Sequence, residues 1–228
     1  MKNLIVLTGA GISAESGLGT FRDSGGLWEK YRVEEVATPE AWEQNRALVT
    51  DFYNQRRKQL LTVEPNEAHK ILVQLEDFFN VQIITQNVDN LHERAGSSHV
   101  LHLHGELNKM RSTGPDAEVF ELSPDQYEVC PDDVCPKGYL LRPHIVWFGE
   151  AVPEIEPAIQ FVQQADIFVV IGTSMQVYPA AGLIHYVKNN VPIYVIDPHE
   201  IDHLPLNVTY LQCGAGVGAK QLFALLKN

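Results

Sequence analysis

Four short runs of aliphatic and β-branched residues constrain this chain more than any other feature, because each ends in small or polar turn residues. Leu4–Thr8 precedes Gly9-Ala10-Gly11, and Val81–Thr85 precedes Gln86-Asn87-Val88-Asp89. Ile167–Ile171 precedes Gly172-Thr173-Ser174, and Pro192–Ile196 precedes Asp197-Pro198. Apolar runs that do not alternate with polar residues read as strands buried on both faces of a parallel sheet. Helical patterns lie between them, as right-handed crossovers require. The expected fold class is therefore α/β: a Rossmann-like parallel sheet with helices on both faces, plus a small inserted domain. Ligands of such sheets bind beyond the carboxyl ends of the strands, so the four turns should line one crevice.

About 70 residues separate the first two strands, more than one crossover needs. Thr38-Pro39-Glu40 predicts a helix start, with Thr as N-cap and Pro in the first turn. That helix is expected to run through Trp42, Leu48 and Phe52 to Leu61. A second is expected to restart at Pro65, with Ala68, Ile71, Leu72, Leu75 and Phe79 on one apolar face. Periodicity fades over Leu107–Leu141, where Pro, Gly, Asp and Ser accumulate, and Ala219–Leu226 reads as a closing amphipathic helix. The expected division gives 1–30, 80–106 and 142–228 to the parallel-sheet domain. It leaves 31–79, a helical insert, and 107–141 to the small one.

Composition narrows the function. A formal net charge of −12 over 228 residues argues against nucleic-acid partners, which need Lys and Arg to neutralise phosphates. No apolar run reaches membrane-spanning length, and the short run behind Met1 is not a signal peptide, so the expected location is cytoplasmic. Three cysteines are too few for a disulfide framework.

Gly9-Ala10-Gly11-Ile12-Ser13-Ala14 follows a strand and opens a helix, the context that gives a glycine-rich phosphate turn its meaning. Gly9 suits the turn, Gly11 admits a pyrophosphate near the backbone, and Ala14 lets the helix pack close. A dehydrogenase would next show a strand ending in an acidic residue. Here that stretch is the Gly-rich loop Phe21-Arg22-Asp23-Ser24-Gly25-Gly26-Leu27-Trp28, which disfavours hydride transfer and reads as a lid.

His104 follows closely, in His102-Leu103-His104-Gly105-Glu106. A neutral imidazole can take a proton near pH 7, although a histidine that merely hydrogen-bonds its neighbours is the ordinary case. The glycine turn with Thr20-Phe21-Arg22, the Thr85–Asp89 turn, the His104 segment and Arg142–Glu150 occur in one order. With Gly172-Thr173-Ser174 leading into Pro179-Ala180-Ala181, they resemble the successive motifs of the sirtuin family.

The resemblance implies a protein-lysine deacylase that consumes NAD as co-substrate, with acyl-lysine proteins or peptides as partners. It implies that the acyl oxygen attacks the carbon bearing nicotinamide. His104 then deprotonates a ribose hydroxyl, which attacks the resulting intermediate, and water completes the release, so nicotinamide, free lysine and O-acyl-ADP-ribose are the products. His104 and Asn87 would be the catalytic residues. Asn87 and Asp89, with Gln86 alongside, would hold the nicotinamide and ribose end, and Gly9, Ala10, Gly11, Ser13 and Ala14 the phosphates. Thr20, Phe21, Arg22 and Trp28 would belong to the lid; Gly172, Thr173 and Ser174 would grip the adenosine ribose and phosphates. Asp197 stands where the family commonly has Asn, and Ala215 would lie on the adenine side. Val146, Phe148, Gly149 and Glu150 would offer a strand edge to an extended peptide; the residues alone also allow a buried strand with Trp147 in the core.

Tyr53 and Arg56 are three apart, so on a helix they share a face, and together they present donors suited to a carboxylate. Unaided, that spacing reads as a solvated surface pair. The resemblance to class III sirtuins makes it the reader of succinyl-, malonyl- or glutaryl-lysine, with Arg57 facing solvent. Family members typically carry two C-x₂-C pairs that bind zinc. Here only Cys130 and Cys135 remain in that region, so no metal site is expected and 107–141 is a degenerate zinc module. Two other readings stay open: a protein ADP-ribosyltransferase, and a non-catalytic module that binds NAD or ADP-ribose. Oligomeric state is not legible.

Overall fold

The computed structural model describes residues 1–19, 30–201, 204 and 207–227. The chain begins β1 (Lys2–Thr8), α1 (Ala10–Ala14), α2 (Val33–Val36), α3 (Pro39–Gln44), α4 (Arg46–Leu60) and α5 (Glu67–Leu75). It continues β2 (Phe79–Thr85), α6 (Leu91–Ala95), β3 (Val100–His102), β4 (Gly105–Ser112), β5 (Val119–Glu121) and β6 (Leu141–Ile145). It ends α7 (Ile155–Gln163), β7 (Ile167–Ile171), a 3₁₀ helix (Ala180–Tyr186), β8 (Ile193–Ile196), β9 (Val208–Leu211) and α8 (Ala215–Lys227).

Among the described residues β3-β2-β1-β7-β8-β9 form a six-stranded sheet in that order. Every neighbouring pair in it is parallel. All four apolar runs lie in this sheet. Alternate residues of one strand feed opposite cores, which is why the runs show no alternation. Leu4, Val6, Val81, Ile83, Val169 and Ile171 face α5 and α8. Ile5, Leu7, Ile84, Phe168, Val170 and Val195 face α7 and the 3₁₀ helix. Chain order reverses between β1 and β7, the switch point at which doubly wound sheets leave a crevice.

Three helical expectations need correction. Thr38 does cap a helix, its Oγ1 accepting from the Ala41 amide at 3.1 Å. That helix ends at Gln44, however, and Asn45 restarts the chain as N-cap of α4 by accepting from the Leu48 amide. Asn competes well for backbone donors outside a helix, so one expected helix becomes two. Phe79 opens β2 instead of extending the α5 face, since α5 stops at Leu75. The α5 face (Ala68, Ile71, Leu72 and Leu75) packs on the parallel sheet, so this helix is a crossover of the large domain and not part of the insert.

The small lobe joins α2, α3 and α4 to an antiparallel sheet of order β5-β4-β6. Val36, Trp42, Val49, Phe52, Tyr53, Leu107, Ile145 and Trp147 pack together there. Arg57, expected in solvent, is only 3% exposed. Its guanidinium donates to the carbonyls of Tyr127 (3.0 Å) and Leu107 (3.3 Å) and to Asn54 Oδ1 (2.6 Å). Asn54 in turn bonds both backbone groups of Val129. Burial lowers the Arg57 pKa to about 10, which leaves it charged at neutral pH. This clamp ties the 107–141 segment to α4. Arg57→Met should leave those carbonyls unmatched and cost about 2–3 kcal/mol, read as a lower urea midpoint at pH 8. An unchanged midpoint would show that the clamp contributes nothing.

Candidate active site

The turns after β1, β2 and β7 meet at the switch point, while the turn after β8 stands at the next strand end along the same edge. The first crosses the third at van der Waals distance. The Gly9 amide donates to the Ile171 carbonyl at 3.0 Å and the Gly11 amide to the Gly172 carbonyl at 2.8 Å. A Cβ on Gly11 would stand 2.6 Å from the Gly172 Cα, and Gly172 itself holds φ +64°. Gly11 is thus needed for a backbone crossing. Its amide is engaged in that crossing.

The turn after β2 is held from several sides. Asn87 donates its amide to Thr85 Oγ1 and its Nδ2 to Ser13 Oγ, at 3.0 and 3.1 Å. Ser13 then donates to Asp89 Oδ2 at 3.0 Å, while Asp89 Oδ1 accepts from the Leu91 amide. Burial pushes the Asp89 carboxyl upward, and those two donors pull it back. Gln86 Nε2 reaches Thr173 Oγ1 at 3.1 Å, linking this turn to the one after β7. Ser13, Gln86, Asn87, Asp89 and Thr173 are therefore one connected group.

Two histidines meet the same turn in different states. His102 Nδ1 faces the Asn87 carbonyl at 3.0 Å and its Nε2 faces Glu93 Oε1 at 2.8 Å. Burial opposes its charge, but Glu93 outweighs burial and the pKa is raised. With a partner on each nitrogen, His102 is held in place and has no free ring nitrogen to act as a base. His104 Nδ1 lies 3.0 Å from the Gln86 carbonyl. A carbonyl only accepts, so the proton sits on Nδ1 and Nε2 keeps its lone pair. Burial lowers the His104 pKa, with the Gln86 carbonyl opposing. His104 is thus a neutral, half-buried base with its free nitrogen directed away from the Gln86 turn.

On α4, Tyr53 is 1% exposed and Arg56 lies one turn on, its guanidinium carbon 5.9 Å from the Tyr53 ring centroid. The solvated-pair reading fails, because this face of α4 turns inward. Burial lowers the Arg56 pKa, with Tyr53 and Asp89 opposing, and burial raises that of Tyr53. The charge coupling of Arg56 to Asp89 joins the α4 pair to the Asn87 group.

Val146 to Glu150 lies beyond the end of β6, outside any strand. Its amides are engaged internally: Val146 with the His104 carbonyl, Phe148 with Ala37, and Trp147 with Glu150 Oε2. Glu150 also takes Arg142 in a two-pronged pair at 2.6 and 3.0 Å. The segment is a capped turn rather than a strand, with Trp147 in the core and Phe148 and Gly149 exposed. Asp197, 8% exposed, ends β8 and accepts from the His199 amide. Ala215 opens α8 and is buried at 4%. Thr20, Phe21, Arg22 and Trp28 lie outside the described residues.

Sequence reasoning missed the Arg57 clamp, the Trp147 bond to Tyr53 described below, and two buried histidines behind the site. The Arg57 signal was available, since Val49, Tyr53, Arg57 and Leu60 recur at helical spacing on the buried stripe. Among the described residues no group of three or more His, Cys, Asp or Glu side chains is placed to hold a metal. Cys135 is buried and its Sγ accepts from Ser112 Oγ at 3.5 Å, while Cys130 is exposed. That donor set does not fit a tetrahedral zinc site.

The Sir2 family model matches residues 9–179. The chain is 59% identical over 230 residues to an NAD-dependent protein deacylase of Bacteroides thetaiotaomicron, covering 99% of this chain and 98% of that protein. A Sir2 homologue solved as a mutant with ADP-ribose superposes with a TM-score of 0.90 at 41% identity, over 99% of this chain and 92% of the other. A Sir2 homologue–NAD complex gives 0.88 at 40% identity, over 99% and 90%.

Proposed function

Because the chain belongs to the Sir2 family and is an NAD-dependent protein deacylase, we propose that it removes acidic acyl groups from lysine. Succinyl and malonyl are the preferred groups, glutaryl and acetyl are also accepted, and the substrates are acylated proteins met in the cytoplasm. The observation that carries the reading is the inward pair on α4. A buried phenol and a half-buried guanidinium on one face of α4 form a donor site that matches a carboxylate and has no use for a methyl group.

NAD supplies an electrophilic ribose carbon with nicotinamide as leaving group; the protein's own side chains bind, orient and move a proton. Asn87, Asp89 and Gln86 hold the nicotinamide and ribose end, their geometry set by Ser13 and Thr173. Thr173, Ser174 and Asp197 stand at the carboxyl ends of β7 and β8, where the adenosine half belongs. With nicotinamide displaced by the acyl oxygen, His104 Nε2 would accept the proton of a ribose hydroxyl so that its oxygen can attack the acyl carbon, and one water would complete the release of free lysine and O-acyl-ADP-ribose. Exposed Phe148 and Gly149 flank the entry of the peptide. The enzyme works without zinc, the Asn54–Arg57 clamp holding the segment that a metal module would otherwise organise.

Arg56→Met tests the acyl assignment. Losing a charge-assisted bond should lower kcat/KM for a succinyl-lysine peptide roughly 10- to 100-fold, with a much smaller change for the acetyl peptide. Mass spectrometry of both reactions with and without NAD reads the ratio. Intact desuccinylation in the variant would overturn the assignment.

A further inference from the structure

The Tyr53 phenol oxygen accepts a hydrogen bond from the Trp147 indole, Nε1 to Oη 2.9 Å. An indole N–H can only donate, so the phenol is the acceptor in this contact. Conjugation keeps a phenolic O–H near the ring plane, with two orientations available. A donor arriving from one side leaves the other for the phenol's own proton. Among the described residues the Trp147 indole is the one hydrogen-bond partner of this hydroxyl. Burial also raises the Tyr53 pKa, which keeps the proton in place at working pH.

Trp147 is itself firmly held. The Arg142 guanidinium stacks on its ring, 3.4 Å from the centroid, and Trp42 packs at 5.8 Å. Glu150 grips both the Trp147 amide (2.8 Å) and the Arg142 guanidinium. A cation over an indole face draws on its π electrons and strengthens Nε1–H as a donor. Such fixation exceeds what filling the core requires, and it leads to one polar atom of the α4 pair.

We propose that Trp147 is a positioning residue for acidic acyl groups: its indole N–H fixes the Tyr53 hydroxyl as a donor toward the acyl carboxylate. This rests on the reading that the Tyr53–Arg56 pair recognises that carboxylate. Without Trp147 the phenol can turn its proton away and present a lone pair, which repels a carboxylate. Arg142 and Glu150 act one step further back, by holding the indole.

Trp147→Phe keeps an aromatic ring between Arg142 and Trp42 but removes the N–H. The succinyl-to-acetyl ratio of kcat/KM should fall about 3- to 10-fold, mainly through KM. Calorimetry without NAD should show the succinyl peptide weakened by a similar factor and the acetyl peptide much less. Tyr53→Phe should lower the ratio too, and the double variant should fall no further than Tyr53→Phe alone. If Trp147→Phe does not fold, Glu150→Gln takes its place, since it loosens the indole's support and should move the ratio the same way. Equal losses on both peptides, or additive effects in the double variant, would overturn the proposal and leave Trp147 a packing residue. A wild type that prefers succinyl, with a variant that keeps the preference, overturns this inference alone. A wild type indifferent to the acyl group overturns the acyl reading and this inference with it.

Discussion

His104→Ala is expected to lower deacylation turnover by roughly 10²- to 10⁴-fold, the usual contribution of a positioned general base. NAD affinity should change little, because the His104 ring bonds only the Gln86 carbonyl among the described residues. That bond fixes the tautomer: Nδ1–H donates and Nε2 is left basic. Burial holds the His104 pKa below its ordinary 6.5, so the neutral base already predominates from about pH 6.5 upward. The acid limb of kcat/KM should therefore lie below pH 6.5 in the wild type. Single-turnover kinetics with an acyl peptide, alongside nicotinamide exchange, separates the steps. A variant that retains acyl transfer, or one that loses NAD binding in parallel, would show that His104 is not the base.

What the sequence made legible follows from the range of the forces involved. Parallel strands announce themselves because burial on both faces leaves no room for polar residues, and Ile167–Ile171 is buried throughout. The edge strands β3 and β9 and the small antiparallel sheet were not seen. Gly105–Ser112 mixes buried with half-buried positions and breaks its alternation midway, β9 shows no buried face, and three-residue strands carry no period. Asn45 was readable as an N-cap, but a continuous apolar stripe through Leu48 and Phe52 spoke for one helix. Function was more legible than packing, because the residues of a turn at a strand end are brought together by topology alone. Long-range polar contacts have no such rule. Trp147 and Tyr53 stand 94 positions apart, and Arg57 and Tyr127 stand 70 apart. Helical spacing could have put Arg57 on the buried stripe, but only the folded chain shows that its guanidinium reaches the Tyr127 and Leu107 carbonyls.

The two histidines behind the site should make the protein acid-labile. His69 on α5 and His92 on α6 are 0% and 1% exposed, with ring centroids 4.9 Å apart. His69 Nδ1 accepts from the Asn66 amide, and His92 Nε2 lies 3.1 Å from Thr8 Oγ1. The remaining nitrogen of each ring has no hydrogen-bond partner among the described residues. Burial drives His69 from 6.5 down to about 4, with Glu93 opposing weakly. Burial, with help from His69 and His102, also holds His92 well below its ordinary value. Both are therefore neutral in the folded protein but titrate normally when unfolded, so protons favour the unfolded chain. Stability is fully present above pH 6.5 and is lost as pH falls from there toward about 4. At about 1.4 kcal/mol per pH unit, His69 alone accounts for roughly 3 kcal/mol across that window. His69→Gln keeps an acceptor for the Asn66 amide, as a capping box prefers, yet cannot titrate. Its urea midpoint should fall at pH 8, where an unmatched amide is buried, but decline less steeply than wild type between pH 6.5 and pH 4.5. The loss at low pH reaches the active site directly, because Thr8, in contact with His92, donates to Thr85, whose hydroxyl holds the Asn87 amide. Parallel midpoint-against-pH curves for wild type and variant would show that the acid sensitivity lies elsewhere.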